Sequence, residues 1–277
     1  HSPTPDMLPL SEPPRSLCIL RLSAIGDTCH VVPLLRTLQQ AWPTTQFTWV
    51  IGKVEAKLMG LIEGVEFITV DKRAGFGARR QLRKQLAGRH FDVLLHMQLA
   101  FRASLLAREI RADLKLGFDR RRARELQWLF TNARIAPRSR EHVLDSFFGF
   151  SEALGIRNRE LRWDLPLPED ARAYAAQLIP EGRMTLVVSP CSSHKARNWR
   201  PERYAAVADH AARQHGMRVI LCGGPGEYEQ EFGAAIESAM KTPVVNQTGK
   251  DTLPQLLALL GRATAVLAPD SGPAHMA

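Results

Sequence analysis

Apolar positions along the chain follow two alternating patterns. Short continuous apolar runs, such as "SLCILRL" and "QFTWVIG", are typical of buried strands, and the segments between them carry apolar residues three and four positions apart, as in a helix. The first such helix is predicted from about Asp27 to Ala41. Strands that alternate with helices in this way predict a parallel sheet covered by helices.

The alternation continues through the first half of the chain. Further strands are predicted at "FITV", "FDVLLHM" and "LKLGF". Helices are predicted at "GARRQLRKQLAGRH", "FRASLLAREIRA" and "HVLDSFFGFSEALG", of which the first and third end at Gly88 and Gly155.

A proline-containing stretch, "LRWDLPLPEDARAY", separates this half from a second series of strands at "MTLVVSP", "MRVILCGG", "TPVVN" and "TAVLAPD". We place a domain boundary near Leu165. The predicted architecture is α/β, with two Rossmann-like domains at 16–165 and 166–277, preceded by a proline-rich arm at 1–15 that we expect to be disordered.

Composition supports a globular chain. With 277 residues and 45% apolar residues, the chain can bury the cores of two domains. It contains no run of about 18 apolar residues, so no membrane-spanning helix is predicted. Its four cysteines lie far apart and form no C-x-x-C pair, which predicts core or near-core thiols and a reducing, cytoplasmic location.

Positive charge is concentrated in the first half. Residues 1–150 hold 23 Lys and Arg against 14 Asp and Glu, whereas residues 151–277 hold 14 of each, so the whole net charge of +9 belongs to the first half. This half is therefore expected to meet an anionic partner: a nucleic acid, an acidic membrane surface or a phosphorylated substrate.

Ligands of open α/β sheets bind at the carboxyl ends of the strands, where helices point unpaired N–H groups outward. In this chain four turns occupy such places: "SAIGD", "SPCSSHKARNW", "CGGPGEYE" and "APDSGPAH". Three of the four lie in the second predicted domain, which makes that domain the expected site of a phosphorylated ligand.

The turn "APDSGPAH" opens a helix at Ser271, Gly272 and Pro273, whose N–H groups and dipole could hold a phosphate. His275 lies one turn further and could reach a phosphate oxygen. The alternative is an ordinary capped helix, with Asp270 or Ser271 as the cap.

The turn "SPCSSHKARNW" places hydroxyl groups and a lysine at a strand end. Ser189, Ser192, Ser193 and Lys195 would suit a diphosphate whose charge develops as it leaves. The alternative is a solvated loop anchored by Trp199.

The turn "CGGPGEYE" lacks the G-x-G-x-x-G spacing of a dinucleotide-binding loop. Glu227, just after the glycines, could accept hydrogen bonds from ribose hydroxyls. It could equally be a first-turn acid that interacts favourably with the helix dipole.

Asp27 stands where a phosphate loop would carry glycine. It could serve as a helix cap. However, the turn contains one glycine, Gly26, and a carboxylate there would repel a diphosphate. If the diphosphate binds to the second domain, Asp27 faces it across a cleft and can act as a general base.

Two basic segments of the first domain, "RRQLRK" and "FDRRRARELQW", could bind an anionic acceptor or could be solvated helix faces. No interleaved aromatic pattern accompanies them, which argues against nucleic acid. The chain has no D-x-D pair and no H-E-x-x-H, so no metal site is predicted. The candidate acceptor-binding residues are Arg79, Arg80, Arg83, Arg120, Arg121 and Arg122.

Four segments taken together, "LRLSAIGDTCHVVPLLRTL", "GFDRRRARELQW", "HKARNWRPERY" and "APDSGPAH", resemble the bacterial ADP-heptose:lipopolysaccharide heptosyltransferases. The similarity runs from about Ser16 to the last residue. It implies an inverting, metal-independent glycosyltransferase of the B-type fold, in which two domains face a central cleft and no cofactor is needed besides the donor. It also implies that the second domain is incomplete at its C-terminus, since such enzymes continue for several more helices.

The resemblance assigns roles to individual residues. Asp27 corresponds to the proposed base, Lys195 to the diphosphate contact and Glu227 to the ribose contact. Because Lys195 stands four residues before Trp199, further than the pattern leads us to expect, Arg197 could share or take its role. The residues of the last motif that would surround the phosphates and sugar are Asp270, Ser271, Gly272, Pro273 and His275.

The function implied is transfer of a heptose from ADP-L-glycero-D-manno-heptose to Kdo or the first heptose of the lipopolysaccharide inner core (Kdo-lipid A). We expect a monomer at the cytoplasmic face of the inner membrane, in peripheral contact with it, and no binding of nucleic acid. Alternatives are a nucleotide-sugar epimerase of similar fold, a basic nucleic-acid-binding protein and a catalytically silent sugar-nucleotide binder.

Overall fold

Six parallel strands form the sheet of the N-terminal part of the chain, in the computed structural model of the protein. The structure describes residues 7–119, 122–123, 127–137 and 142–277. The strands are β1 (Ser16–Leu20), β2 (Gln46–Gly52), β3 (Val65–Val70), β4 (Phe91–His96), β5 (Ala112–Gly117) and β6 (Ala133–Arg134). Their order is β3-β2-β1-β4-β5-β6, which places the apolar β1 near the centre, where Leu17 to Leu20 are fully buried. The parallel sheet predicted from the apolar runs is confirmed.

Helices cover this sheet. They are α1 (Ile25–Ala41), α2 (Lys53–Met59), α3 (Phe76–Gln85), α4 (Phe101–Ala107) and α5 (Val143–Ala153). The prediction missed α2, which has two turns and follows β2 without an intervening loop. The predicted extent of α4 was wrong, because its last predicted residue, Ala112, already belongs to β5.

The C-terminal part has a four-stranded parallel sheet of order β10-β7-β8-β9. Its strands are β7 (Thr185–Val188), β8 (Arg218–Leu221), β9 (Val245–Asn246) and β10 (Ala265–Leu267). Its helices are α6 (Glu169–Leu178), α7 (Pro201–His215), α8 (Glu227–Ala239), α9 (Leu253–Arg262) and α10 (Gly272–Met276).

The two sheets belong to separate units of the chain. The first unit is His1–Leu165 and the second is Pro166–Ala277. Each unit has its own buried core, around β1 and β4 in the first and around β7 and β8 in the second.

The cysteines are free thiols, as predicted. Cys18, Cys29 and Cys222 are buried and Cys191 is half-buried. Burial raises the pKa of Cys29 and that of Cys191 to about 11. Within the described ranges, no helix is long and apolar enough to cross a bilayer.

The ends of β1 and β2 approach each other closely at Gly52. Its N–H donates to the Leu22 carbonyl oxygen at 3.0 Å, and a Cβ at this position would lie 2.6 Å from the same oxygen. We expect Gly52→Ala to lower the free energy of unfolding by about 1–3 kcal/mol, since two backbone segments would have to separate. Urea unfolding monitored by circular dichroism measures this.

Gly261→Ala is the matched control for Gly52→Ala. Gly261 lies in α9, and a Cβ there meets nothing within 4 Å. Alanine should raise stability by about 0.5–1 kcal/mol, because it restricts the unfolded chain and favours the helix. An unchanged unfolding midpoint for Gly52→Ala would contradict the close approach.

Candidate active site

Asp27 lies in the first turn of α1, directly after the turn that follows β1. The helix begins at Ile25, and the residue at the N-cap position is Ala24, which has no side chain able to cap. The alternative that Asp27 caps the helix is therefore wrong, because the carboxylate is already inside the helix. It is directed instead to an arginine at the end of β1.

That arginine, Arg21, is 8% exposed. Its Nη2 donates to Asp27 Oδ2 at 2.5 Å, its Nη1 donates to the Met97 carbonyl oxygen at 2.6 Å, and its guanidinium lies 5.4 Å from the centre of the Phe147 ring. Burial lowers the pKa of Arg21 and the Asp27 carboxylate opposes this shift. Because arginine keeps its charge in proteins, Arg21 is a fixed cation that orients Asp27.

The Asp27 carboxylate is only partly used by this pair. Its side chain is 39% exposed, and Oδ1 accepts no hydrogen bond from the residues that the structure describes. One oxygen is thus held in place, and the other is available to a proton donor from outside.

The turn before Asp27 is fixed to the end of β4. The backbone N–H groups of Leu22 and Ser23 donate to Gln98 Oε1 at 2.9 and 3.4 Å. In turn, Gln127 Nε2 donates to the carbonyl oxygens of His96 and Gln98 at 3.0 and 2.9 Å. Side-chain amides therefore set the backbone that carries Arg21 and Asp27.

His96 is fully buried beneath this edge, with its Nε2 3.1 Å from Ser104 Oγ. Burial, helped by the charge of Lys115, lowers the pKa of His96 to about 3. His96 is therefore protonated below about pH 6.5 in the unfolded chain, whereas in the folded chain it stays neutral at this pH. The free energy of unfolding should fall by about 2 kcal/mol from pH 7 to pH 5 through this group.

Urea unfolding at several pH values tests the role of His96. In His96→Gln this part of the pH dependence should be absent, whatever the variant's stability at pH 7. His210→Gln, at an exposed histidine of α7, should keep the wild-type slope. Equal slopes in wild type and His96→Gln would contradict the assignment.

A cavity of about 750 Å³ lies at the same edge of the first sheet. Leu22, Ser23 and Gln98 form part of its wall. Four cations complete it, and among the residues that the structure describes no Asp or Glu lines it; the cations are Lys72, Arg73, Arg79 and Arg102. Lys72 and Arg79 are ion-paired with Glu55 and Glu109, which lie outside the lining, so Arg73 and Arg102 contribute most of the positive charge. Such a cavity is suited to an anionic ligand.

The predicted basic residues of α3 differ in whether they form ion pairs within the protein. Arg79 and Arg83 both bond to Glu109, the latter at 2.6 Å from Nε to Oε2. Arg83 and Arg79 together lower the pKa of Glu109 to about 2. Arg80 is exposed and forms no ion pair with any described residue.

The second predicted basic segment offers fewer available cations for an acceptor than α3 does. Arg122 bonds to the buried Asp119 and donates from Nη1 to Ser146 Oγ at 2.9 Å. Its donors are engaged by Asp119, Ser146 and the Ala136 carbonyl oxygen, so Arg122 is less available to an acceptor than the exposed Arg80. Arg120 and Arg121 lie outside the described residues.

In the second unit, β10, β7 and β8 are neighbours, so the turns after them meet at one edge of the sheet. Ser189 is buried directly after β7, and its N–H donates to the Leu267 carbonyl oxygen at 2.9 Å. Ser192 Oγ donates to the His194 carbonyl oxygen at 2.7 Å, which folds the turn onto itself. Ser193 is exposed.

Lys195 and Arg197 have different partners. Lys195 Nζ lies 4.2 Å from the centre of the Tyr228 ring and forms no ion pair within the described part of the chain. Arg197 Nη1 bonds to Asp270 Oδ2 at 2.8 Å, and His275 Nε2 lies 3.5 Å from Asp270 Oδ1. Lys195 thus keeps its N–H donors for a ligand, whereas Arg197 is engaged by Asp270.

The last motif is arranged differently from a capped helix. Ser271 occupies the N-cap position of α10, but its hydroxyl donates to the Pro269 carbonyl oxygen at 3.0 Å and caps nothing. The Asp270 carboxylate is held by Arg197. The capping alternative is therefore wrong for both residues; Gly272 and Pro273 form the first turn of α10.

Two acids follow the glycine turn after β8. Glu227, the predicted ribose contact, begins α8 and is exposed. Glu229 turns back to the loop, and its Oε1 accepts from the Gly224 N–H at 3.1 Å. A Cβ at Gly224 would lie 2.4 Å from Glu229 Oε2, so this glycine admits the carboxylate.

Arg21, Gln98 and Glu229 also belong to the two candidate sites and were not predicted from the sequence. Only Arg21 left a signal: an arginine at the end of an apolar strand is rarely buried without a partner, and Asp27 is the next acid along the chain. No group of three or more His, Cys, Asp and Glu side chains able to hold a metal occurs in the described ranges.

Comparison with known sequences places this chain among the heptosyltransferases. The sequence model of glycosyltransferase family 9 (heptosyltransferase) matches residues 79–277. The lipopolysaccharide core heptosyltransferase OpsX of Haemophilus influenzae is 44% identical over 267 residues, which cover 96% of this chain and 77% of that protein.

Solved structures share the fold. A family 9 glycosyl transferase from Veillonella parvula superposes with a TM-score of 0.80 at 24% identity, covering 95% of this chain and 77% of the other. The E. coli heptosyltransferase WaaC with ADP-2-deoxy-2-fluoro heptose gives 0.77 at 23% identity, covering 94% and 84%. The predicted α/β fold of this group is confirmed.

Proposed function

The chain belongs to glycosyltransferase family 9, the heptosyltransferases, and we propose that it transfers a heptose from ADP-L-glycero-D-manno-heptose to the lipopolysaccharide inner core, with inversion at the anomeric carbon. The acceptor we propose is Kdo or the first heptose of Kdo-lipid A. The relative at 44% identity, named for the same reaction class, supports this proposal most directly.

The observation that carries the mechanism is the half-used carboxylate of Asp27. Arg21 holds Oδ2, and Oδ1 is left to accept a proton. A carboxylate oriented in this way can remove the proton of an acceptor hydroxyl as the hydroxyl oxygen attacks the anomeric carbon. The bond from that carbon to the diphosphate breaks, and ADP leaves with the electron pair.

Departing ADP gains negative charge, which we propose is stabilised by the second unit. Lys195 is the principal cation, because its N–H donors are not used by a carboxylate among the described residues. His275 and the backbone N–H of Gly272, both in α10, are the further donors. Ser189 and Ser193 lie in the turn after β7, at the same edge of the second sheet. Glu227 is proposed to accept from the ribose hydroxyls.

The cationic cavity of the first unit is proposed to bind the acceptor. Kdo carries a carboxylate and the lipid A backbone carries phosphates, and both match a wall of lysine and arginine. Arg79 belongs to this wall, and Lys72, Arg73 and Arg102 extend the predicted set. Arg80 and Arg83 remain proposed outer contacts.

The cellular setting follows from this acceptor. We propose a monomer at the cytoplasmic face of the inner membrane, in peripheral contact with it, that needs neither a metal nor a cofactor besides the donor. Nucleic acid is not a proposed partner.

The decisive experiment incubates the protein with ADP-heptose and truncated lipopolysaccharide acceptors and determines the product masses. One added heptose on the acceptor supports the proposal. An altered sugar nucleotide formed without acceptor would instead indicate an epimerase, and binding of ADP-heptose with no turnover would indicate a silent binder. Salt-sensitive binding to nucleic acid without an effect of ADP would indicate the third alternative.

Arg21 is proposed as a positioning residue for Asp27. Arg21→Gln should lower kcat about tenfold, since Oδ2 loses its charged partner, while KM for ADP-heptose stays unchanged because the donor contacts lie in the second unit. Arg21→Lys should recover part of the lost kcat and shift the pH profile of kcat relative to wild type. If Arg21 acted only on stability, both variants would have a lower thermal midpoint. The pH dependence of kcat, measured on the folded enzyme, would then be the same in both variants as in wild type.

A further inference from the structure

Large apolar side chains are exposed at the carboxyl edge of the first unit's sheet. Phe101, Trp128 and Leu129 have 40%, 37% and 57% of their surface exposed. Phe101 begins α4 after β4, and the other two lie in a 3-10 turn at Gln127–Leu129. The Phe101 ring meets Phe130 edge-on at 6.1 Å, so the two segments form one surface, which we call the apolar rim (Phe101, Trp128, Leu129 and Phe130).

The backbone that presents the apolar rim is firmly held. Gln127 is fully buried, and its amide bonds to the carbonyl oxygens of His96 and Gln98 and to the Phe118 N–H. A buried side chain with these partners fixes the turn, so the next two residues point outward from an anchored position. The fixed position of Gln127 thus keeps Trp128 and Leu129 exposed in the folded protein.

Positive charge adjoins the apolar rim. The residues on either side of Phe101, Ala100 and Arg102, line the cationic cavity, and Arg73 and Arg79 line it as well. An apolar surface beside a cationic one matches the boundary of an anionic bilayer, where apolar side chains enter the acyl region and arginines meet phosphates. Tryptophan is especially suited to that boundary.

We propose that the apolar rim is the surface by which the protein docks onto an anionic phospholipid bilayer. Trp128, Leu129 and Phe101 enter the headgroup boundary, and the positive charge of the adjoining cationic cavity attracts the anionic bilayer surface. The cationic cavity then opens at the membrane surface, where a lipid-linked acceptor presents its sugars. The role of docking in bringing the cavity to a lipid-linked acceptor rests on the proposed function. Binding of the apolar rim to a bilayer does not depend on that function.

Leu129→Glu and Leu161→Glu form a matched pair for the test. Both leucines are exposed in the first unit, Leu161 at 61%, but Leu161 lies outside the apolar rim. Co-sedimentation would compare vesicles of phosphatidylcholine alone with vesicles containing 30% phosphatidylglycerol, a composition on the order of that in anionic membranes. Wild type should bind the anionic vesicles, and more weakly at high salt.

We expect Leu129→Glu to lower the partition coefficient onto anionic vesicles about tenfold, since a charge replaces an apolar side chain that is proposed to enter the headgroup boundary, and Leu161→Glu to leave it unchanged. Equal binding by wild type and Leu129→Glu, an equal loss in Leu161→Glu, or no binding by wild type would each overturn the proposal. The proposal would also be overturned if wild type formed a dimer, and if Leu129→Glu dissociated this dimer but bound vesicles as wild type does. The apolar rim would then be an interface between two copies of the chain.

An activity measurement separates this proposal from the proposed function. Leu129→Glu should transfer heptose to a water-soluble acceptor fragment at the wild-type rate and to Kdo-lipid A in vesicles about tenfold more slowly. Absence of transfer in wild type with intact vesicle binding would refute the proposed function and leave the docking surface standing. Equal slowing with both acceptors would overturn docking as the role of Leu129.

Discussion

Asp27→Asn is expected to lower the rate of heptose transfer about 10²- to 10⁴-fold, the usual contribution of a general base. Asparagine has the shape of aspartate, and its amide oxygen can still accept from Arg21 Nη2, which now holds Oδ2 at 2.5 Å. What disappears is the ability to take a proton. Steady-state kinetics with ADP-heptose and a truncated acceptor measures the effect.

Donor binding provides the internal control for Asp27→Asn. The proposed donor contacts lie in the second unit, so calorimetry with ADP-heptose should give the wild-type dissociation constant. Asp164→Asn, at a 63% exposed aspartate elsewhere in the first unit, should be fully active. Turnover within a factor of two or so of wild type in Asp27→Asn would refute the base assignment.

Lys195→Met is expected to reduce kcat about 10²-fold, in the range found when one charge-stabilising donor is removed from an active site. Methionine retains much of the length of lysine and removes the charge that lies 4.2 Å from the Tyr228 ring. Because the diphosphate gains charge as it leaves, kcat should suffer more than the binding of ADP-heptose.

Two variants test the specificity of this effect. Lys241→Met removes an exposed lysine of the same unit and should leave kcat unchanged. Arg197→Met breaks the pair with Asp270 and should affect kcat less than Lys195→Met, since Arg197 is already neutralised. The reverse order of the two effects would transfer the leaving-group role to Arg197.

Elements with long, uniform apolar patterns were predictable from sequence. The run "QFTWVIG" coincides with β2, and the helix predicted from Asp27 begins two residues earlier, at Ile25. Helix α2 was not predictable in the same way, because seven residues contain too few turns for a helical period to be recognised.

The site was predictable in residue type and less so in contacts. Motif positions identified Asp27 and Lys195, but the sequence could not tell that Arg197 is paired with Asp270, because their contact joins residues 73 positions apart. The same holds for Arg79 of α3 and Glu109 in the turn after α4, which are 30 positions apart in the sequence. A run of arginines indicates charge, and only the fold decides which charges are already neutralised.

The pairing of Asp27 with Arg21 also bears on how the enzyme could evolve. In many enzymes an active-site acid lowers the stability of the folded protein, and replacing it yields a more stable but inactive variant. Here the buried Arg21 would lose its counter-ion if the carboxylate vanished, and an uncompensated buried cation is costly. Selection for robustness and selection for catalysis therefore act on Asp27 in the same direction, so drift toward a stable but inert descendant would have to change both residues together.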